Sequence, residues 1–220
     1  MAHVRLTYGD VEIGKPLAFA IHDRQGHTLL NHGFVIKDQR QLDKLVERGG
    51  YFDAIDEDST EQAELPSHVS AYRLAVAVAD EYEDLFADGV EVADIRRLPD
   101  IAGEIQKLCA LDPDPLLAVI LLYKSGRYSL RHSFACAILT AILMGVLEQN
   151  ADKRRSAITG ALAMNLAMLD LQDALYHQET PLTLEQKQAL VLHPRNAARM
   201  LAERGMTDDA LLDVVEDHHV

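Results

Sequence analysis

Residues 160–171, GALAMNLAMLDL, space their apolar side chains three and four apart, as one face of a helix requires, and set a single amide, Asn165, among them. The same period governs nearly all of the chain beyond His68. VSAYRLAVAVADEYEDLF, EVADIRRLPDIAGEIQKLCAL, PLLAVILLYKSG, SLRHSFACAILTAILMGVLEQN, ADKRRSAITGALAMNLAML, TLEQKQALVLHPRNAARMLAERG and DDALLDVVEDHH each predict a helix. Asp152 and Thr183 stand where N-caps are expected, and Gly205 where a C-cap is. No solenoid-length repeat and no low-complexity tract interrupts the pattern. These residues should form an all-α bundle.

The first part of the chain has a different rhythm. From Val4 to about Phe52 the signals are those of short strands and turns: VEIGKPLAFAI, then HDRQGH with Gly26 suited to a hairpin loop, then TLLNHGFVI. KDQRQLDKLVERGG predicts one amphipathic helix, with Leu42, Leu45 and Val46 on one face and Gly49 as its stop. The stretch DAIDEDSTEQAELPSH that follows is acidic and poor in apolar residues, as a solvated linker is. The expected organisation is α+β as a whole: a small β-rich module closed by one helix over 1–55, an acidic linker over 56–68, and a helical bundle over 69–220.

Composition narrows the classes. With 220 residues and 48% hydrophobic content the chain can bury a sizeable core. A formal net charge of -14, from 35 acidic against 21 basic residues, disfavours nucleic acid and anionic membrane surfaces as partners. Two cysteines, Cys109 and Cys136, both in apolar helical stretches, give no disulfide framework and fit a reducing compartment. The start MAHVRLTYGD lacks an apolar signal core, and no uninterrupted apolar run reaches the roughly 18 residues of a membrane span. A soluble, cytoplasmic protein is expected.

Candidate chemistry rests on histidines. His132, His177, His193, His218 and His219 lie where a side chain can be drawn into the bundle. Pro194 after His193 suits the first turn of a new helix better than a helix interior. Imidazoles gathered from several helices can hold a first-row transition metal inside a bundle. Other features have plainer readings. EDLFADGVEVAD and DEDSTEQAE are solvated acidic surface, Arg96, Arg97, Lys153, Arg154 and Arg155 are surface cations, and Met144, Met164 and Met168 fill core.

The order YSLRHS, an apolar helix, LTLEQKQALVLHPRNAARML and VVEDHH resembles the HD-GYP domain, a branch of the HD phosphohydrolases, over about residues 95–220. The resemblance implies an all-α HD-type bundle preceded by a small N-terminal module. Family members are typically metal-dependent phosphodiesterases that hydrolyse cyclic di-GMP, with histidines and one aspartate holding two or three iron or manganese ions and a bridging hydroxide attacking phosphorus. Carried over by position, the resemblance makes His132 the first metal ligand, His193 the His-Pro ligand, and His218 with His219 the paired ligands. The opening stretch replaces the family's LLHDIGK: Met164 stands for the metal-binding histidine, Asn165 for the bridging aspartate, Ala167 for the glycine and Met168 for the lysine. The lone His-Asp dipeptide, His22-Asp23, falls beside the predicted hairpin turn and reads as coincidence.

Those replacements decide the functional expectation. A bridging carboxylate offsets the repulsion between two cations and helps position the hydroxide between them, whereas an amide brings no charge and a thioether is a soft ligand. The expectation is a non-catalytic HD-GYP-like regulatory protein of cyclic di-GMP pathways, acting through nucleotide or protein partners. The alternative is an active cyclic di-GMP phosphodiesterase with an unusual metal site. His193, His218 and His219 remain for a single iron, manganese or zinc ion, with the Asn165 oxygen nearby. The sequence stops before the family's Gly-Tyr-Pro loop, which reads as a shortened chain whose exposed apolar face favours a homodimer.

Overall fold

The computed structural model describes residues 3–53, 70–124, 126–147 and 149–219, so the expected acidic linker lies outside the described residues. The chain divides into two compact units, Met1–Val78 and Ala79–Val220.

In the first unit, β1 (His3–Arg5), β2 (Ile21–His22), β3 (Thr28–Leu30) and β4 (Tyr51–Asp53) form an antiparallel sheet in the order β1-β4-β2-β3, and α1 (Gln39–Glu47) precedes its last strand in sequence. Val4 pairs with Phe52 in register, and both are buried with Leu6, Ile21, Ile36 and Leu42. Asp38 caps α1 by accepting from the Gln41 N–H, and Gly49, at φ +69°, lets the chain turn after it. The strand expected over VEIGKPLAFAI is mostly irregular. Gly14 turns at φ +88° and Pro16, which has no N–H to give a ladder, forms only an isolated bridge to Val35. Arg73, in the first turn of α2 (Ala71–Leu85), grips both carboxylate oxygens of Asp10 and the Arg5 carbonyl.

The second unit holds the rest of α2, then α3 (Leu98–Leu111), α4 (Asp114–Leu122), α5 (Tyr128–Val146), α6 (Ala151–Ala163), α7 (Leu169–Tyr176), α8 (Leu184–Glu203) and α9 (Asp209–Asp217). The described residues are α+β: a small sheet with α1 in the first unit and a helical bundle in the second. By length and composition α5 is the one described helix that could cross a bilayer, but α3, α4, α6 and α7 all pack on it. Its Leu130, Phe134, Ala137 and Ile138 are buried, while Leu139, Leu143, Val146 and Leu147 form an exposed apolar strip. The phenol of Tyr82, fully buried, donates to the Leu162 carbonyl at 2.6 Å and ties α2 to α6.

Two helix starts differ in kind. Thr183 caps α8 in a reciprocal capping box with Gln186, as its sequence position suggests. At α6 the cap is Asn150, which accepts from the Lys153 N–H; Asp152 sits two residues further on, in the first turn, where its charge faces the positive end of the helix. The start of α5 borrows its cap from α7. Asp173 accepts from the Ser129 N–H at 2.7 Å, from the Ser129 hydroxyl and from Arg127 Nε. Burial works against its charge, but these hydrogen bonds prevail and hold its pKa below the ordinary 3.8.

Close packing matters most where α6 meets α9. A Cβ added to Gly160 would stand 2.5 Å from Val214 Cγ1, so the first residue of GALAMNLAMLDL must be glycine for α9 to seat. Gly160→Ala should destabilise the unit by about 1–3 kcal/mol through overpacking, read by chemical denaturation. Asp173→Ala should cost about 1–2 kcal/mol at neutral pH. Because its folded pKa is depressed, that contribution is complete above the unfolded pKa and vanishes as pH falls through the folded one, so native and variant stabilities should converge in acid.

Candidate metal centre

Helix α8 runs unbroken through Pro194, which corrects the expectation that the proline opens a new helix. The reason is local. Pro194 has no N–H for the carbonyl four residues back, that of Leu190, and its neighbour His193 supplies the substitute, Nδ1–H donating to the Leu190 oxygen at 2.6 Å. A carbonyl can only accept, so this bond places the proton on Nδ1 and leaves a lone pair on Nε2. His193 is 2% exposed.

His218, at the end of α9, repeats the device. Its Nδ1–H donates to the Val215 carbonyl at 2.8 Å, again leaving Nε2 bare. Packing of α8 on α9 brings the two Nε2 atoms to 3.1 Å. His219 completes the group: its ring centroid lies 4.2 Å from that of His218 and 5.1 Å from that of His193, and one ligand nitrogen from each residue falls within 4.8 Å of the others.

Burial is the largest influence on His193 and His218 and pushes both below the ordinary pKa; neighbouring imidazoles push the same way, against the carbonyl hydrogen bonds. Two neutral rings therefore aim lone pairs at one another across 3.1 Å. That contact is repulsive unless a proton or a metal ion stands between them. Two imidazole nitrogens bound at 2.0–2.1 Å to one tetrahedral ion would sit roughly 3.3 Å apart, close to the spacing found. The cluster also lies at the C-terminal end of α9, where the helix dipole favours positive charge.

The remaining candidates separate. His132, on α5, has Nε2 3.8 Å from Cys136 Sγ and stacks on Tyr128; it does not join the cluster. His177 is exposed at the end of α7, edge-on to Tyr176, and is not drawn inward. His22 meets Thr28, and Asp23 accepts from the Gln25 and His27 N–H groups of its turn. Met164 is buried at the end of α6, and Met168, partly exposed, precedes α7. Asn165, 3% exposed, opens the short 3-10 turn Leu166–Met168, and that turn packs on α8. Among the described residues no carboxylate joins the three imidazoles.

No family model matches the chain. Over 147 residues, 67% of its length, it is 26% identical to a cyclic di-GMP phosphodiesterase of Pseudomonas aeruginosa, and it spans about a third, 35%, of that protein. Its fold is similar to that of an HDG“Y”P protein from Bdellovibrio bacteriovorus, with a TM-score of 0.54 over 98% of this chain and 77% of the other, at 13% identity. Both likenesses are to proteins of the HD-GYP kind, in agreement with the resemblance carried by the His-Pro and His-His residues. In the helical unit the side chains of His193 and His218 are oriented by the carbonyls of Leu190 and Val215, partners that a reading of side chains alone leaves out. Their sequence signal is a His-Pro pair set inside an apolar helical period. Pro194→Ala returns an N–H that competes for the Leu190 carbonyl. Nitrogen NMR should show His193 as the Nδ1–H tautomer in the native chain and as a mixture in the variant; an unchanged spectrum would count against the carbonyl account.

Proposed function

We propose that this HD-GYP-type domain is a non-catalytic signalling module of cyclic di-GMP pathways that holds one divalent metal ion on His193, His218 and His219. The observation that carries the metal assignment is the pair of facing Nε2 lone pairs 3.1 Å apart. Three imidazoles, joined by no carboxylate among the described residues, suit zinc or iron better than manganese, which prefers oxygen ligands. An ion there would supply Lewis acidity. This chain's own contribution is to fix the imidazoles by carbonyl hydrogen bonds and to bury His193.

The residues that stand where the resemblance expects a second ion to be held support the non-catalytic reading. Two-metal hydrolysis depends on a charged bridge, and the positions that the resemblance assigns to it hold Met164 and Asn165. The amide oxygen of Asn165 brings no charge, and the Met164 thioether matches soft ions. The likeness to a cyclic di-GMP phosphodiesterase supports that nucleotide as a partner. The exposed strip Leu139, Leu143, Val146 and Leu147 supports self-association as a homodimer.

Protein purified without chelator should carry about one ion per chain, or take up one zinc in a titration, and His218→Ala should lose it. Cyclic di-GMP offered with iron, manganese and zinc in turn should not be hydrolysed. Metal-dependent turnover abolished by His218→Ala would overturn the non-catalytic reading, and a chain that takes up none of these metals would remove the centre itself.

A further inference from the structure

The helical unit contains a cavity of about 330 Å³ walled by α2, α4, α5 and α7, and it shares no residue with the three histidines. Val119, Ile120, Leu130 and Phe134 give it an apolar wall, and the rings of Tyr82 and Tyr123 add to it. Into this setting α2 brings a carboxylate, that of Glu83, from a stretch that reads as solvated acidic surface in the sequence.

Glu83 is held in place by backbone. A Cβ on Gly126 would lie 1.9 Å from both of its carboxylate oxygens, and Gly126 itself has φ +74°. Its Oε1 is buried and has no hydrogen-bond partner among the described residues. Burial, then the charge of Asp80, raises its pKa, while Tyr123 and Arg131 draw it down and Asp84 adds to the rise. Arg131 donates to the Gly126 carbonyl at 2.6 Å, so acid and guanidinium meet the same glycine. Lys124 also lines the cavity. A buried acceptor without a donor is unfavourable for the empty protein, and such groups mark places where a ligand brings the missing donor.

The geometry points to a binding site for a free α-amino acid with a large apolar or aromatic side chain. The ammonium would meet Glu83 and the carboxylate Arg131 and Lys124, two opposite charges side by side as they are on one α-carbon. The side chain would lie against Phe134, Val119 and Ile120, and the tyrosine rings attract the ammonium as well.

Calorimetric titration of the full chain with phenylalanine tests this, beside phenethylamine, which lacks the carboxylate, and hydrocinnamate, which lacks the ammonium. Saturable binding of phenylalanine is expected, weaker with either analogue, and reduced about tenfold or more by Glu83→Gln. His218→Ala should leave it unchanged. The thermal midpoint of Glu83→Gln should equal or exceed that of the native chain, because the amide relieves a buried charge; a merely structural carboxylate would give a lower one. Absence of saturable phenylalanine binding, equal binding of phenethylamine, or full binding by a folded Glu83→Gln chain would overturn the proposal.

Discussion

Where α6 crosses α9, Gly160 presents a hydrogen in place of a side chain, and Val214 occupies the space that any larger residue would need. The seat of α9 follows from that contact, and α9 in turn carries His218 to α8 and His193. Helix packing supplies the distance between the imidazoles, and the carbonyls of Leu190 and Val215 supply their direction. Neither element is sufficient alone: an unrestrained ring at the right distance would turn its nitrogen away, and a well-aimed ring on a displaced helix would find no neighbour.

The same stretch that permits this packing carries Met164 and Asn165, the residues on which the proposed non-catalytic reading rests. GALAMNLAMLDL keeps Ala161, Leu162, Ala163 and Leu166 buried, with Met164 and Asn165 buried among them. Packing tolerates methionine and asparagine there because the turn after Asn165 still docks on α8. A charge requirement is less forgiving than a volume requirement. A fold of this kind, with three grouped imidazoles, is thus compatible with an uncharged residue at the position where the proposed function requires the carboxylate of a two-ion reaction to be missing.

Much of the bundle was legible because a 3.6-residue apolar period is a local property that packing reinforces. The imidazole set was legible in part: the three residues grouped in the structure are those the resemblance placed around one ion, while His132 remained with Tyr128 and Cys136. Pro194 misled because its cost depends on whether the freed carbonyl finds another donor, which only the fold reveals. The cap of α6 was misplaced by two residues, since Asn150 and Asp152 are both good candidates and only backbone geometry separates them. Glu83 was hidden for a deeper reason. Its neighbours Asp80, Glu81 and Asp84 make the segment look solvated, and its burial comes from Gly126, more than forty residues away in the chain.

Helix α9 has nine residues, too few for a helix to persist by itself in water. It is held by α6 and α8 and by the Asp208 cap, which accepts from the Ala210 and Leu211 N–H groups. Since the facing nitrogens belong to α8 and α9, an ion bound between them would act as a latch across two helices. Its binding energy would add directly to the energy that keeps α9 docked, so occupancy of the centre and order of this short helix become a single, reversible event.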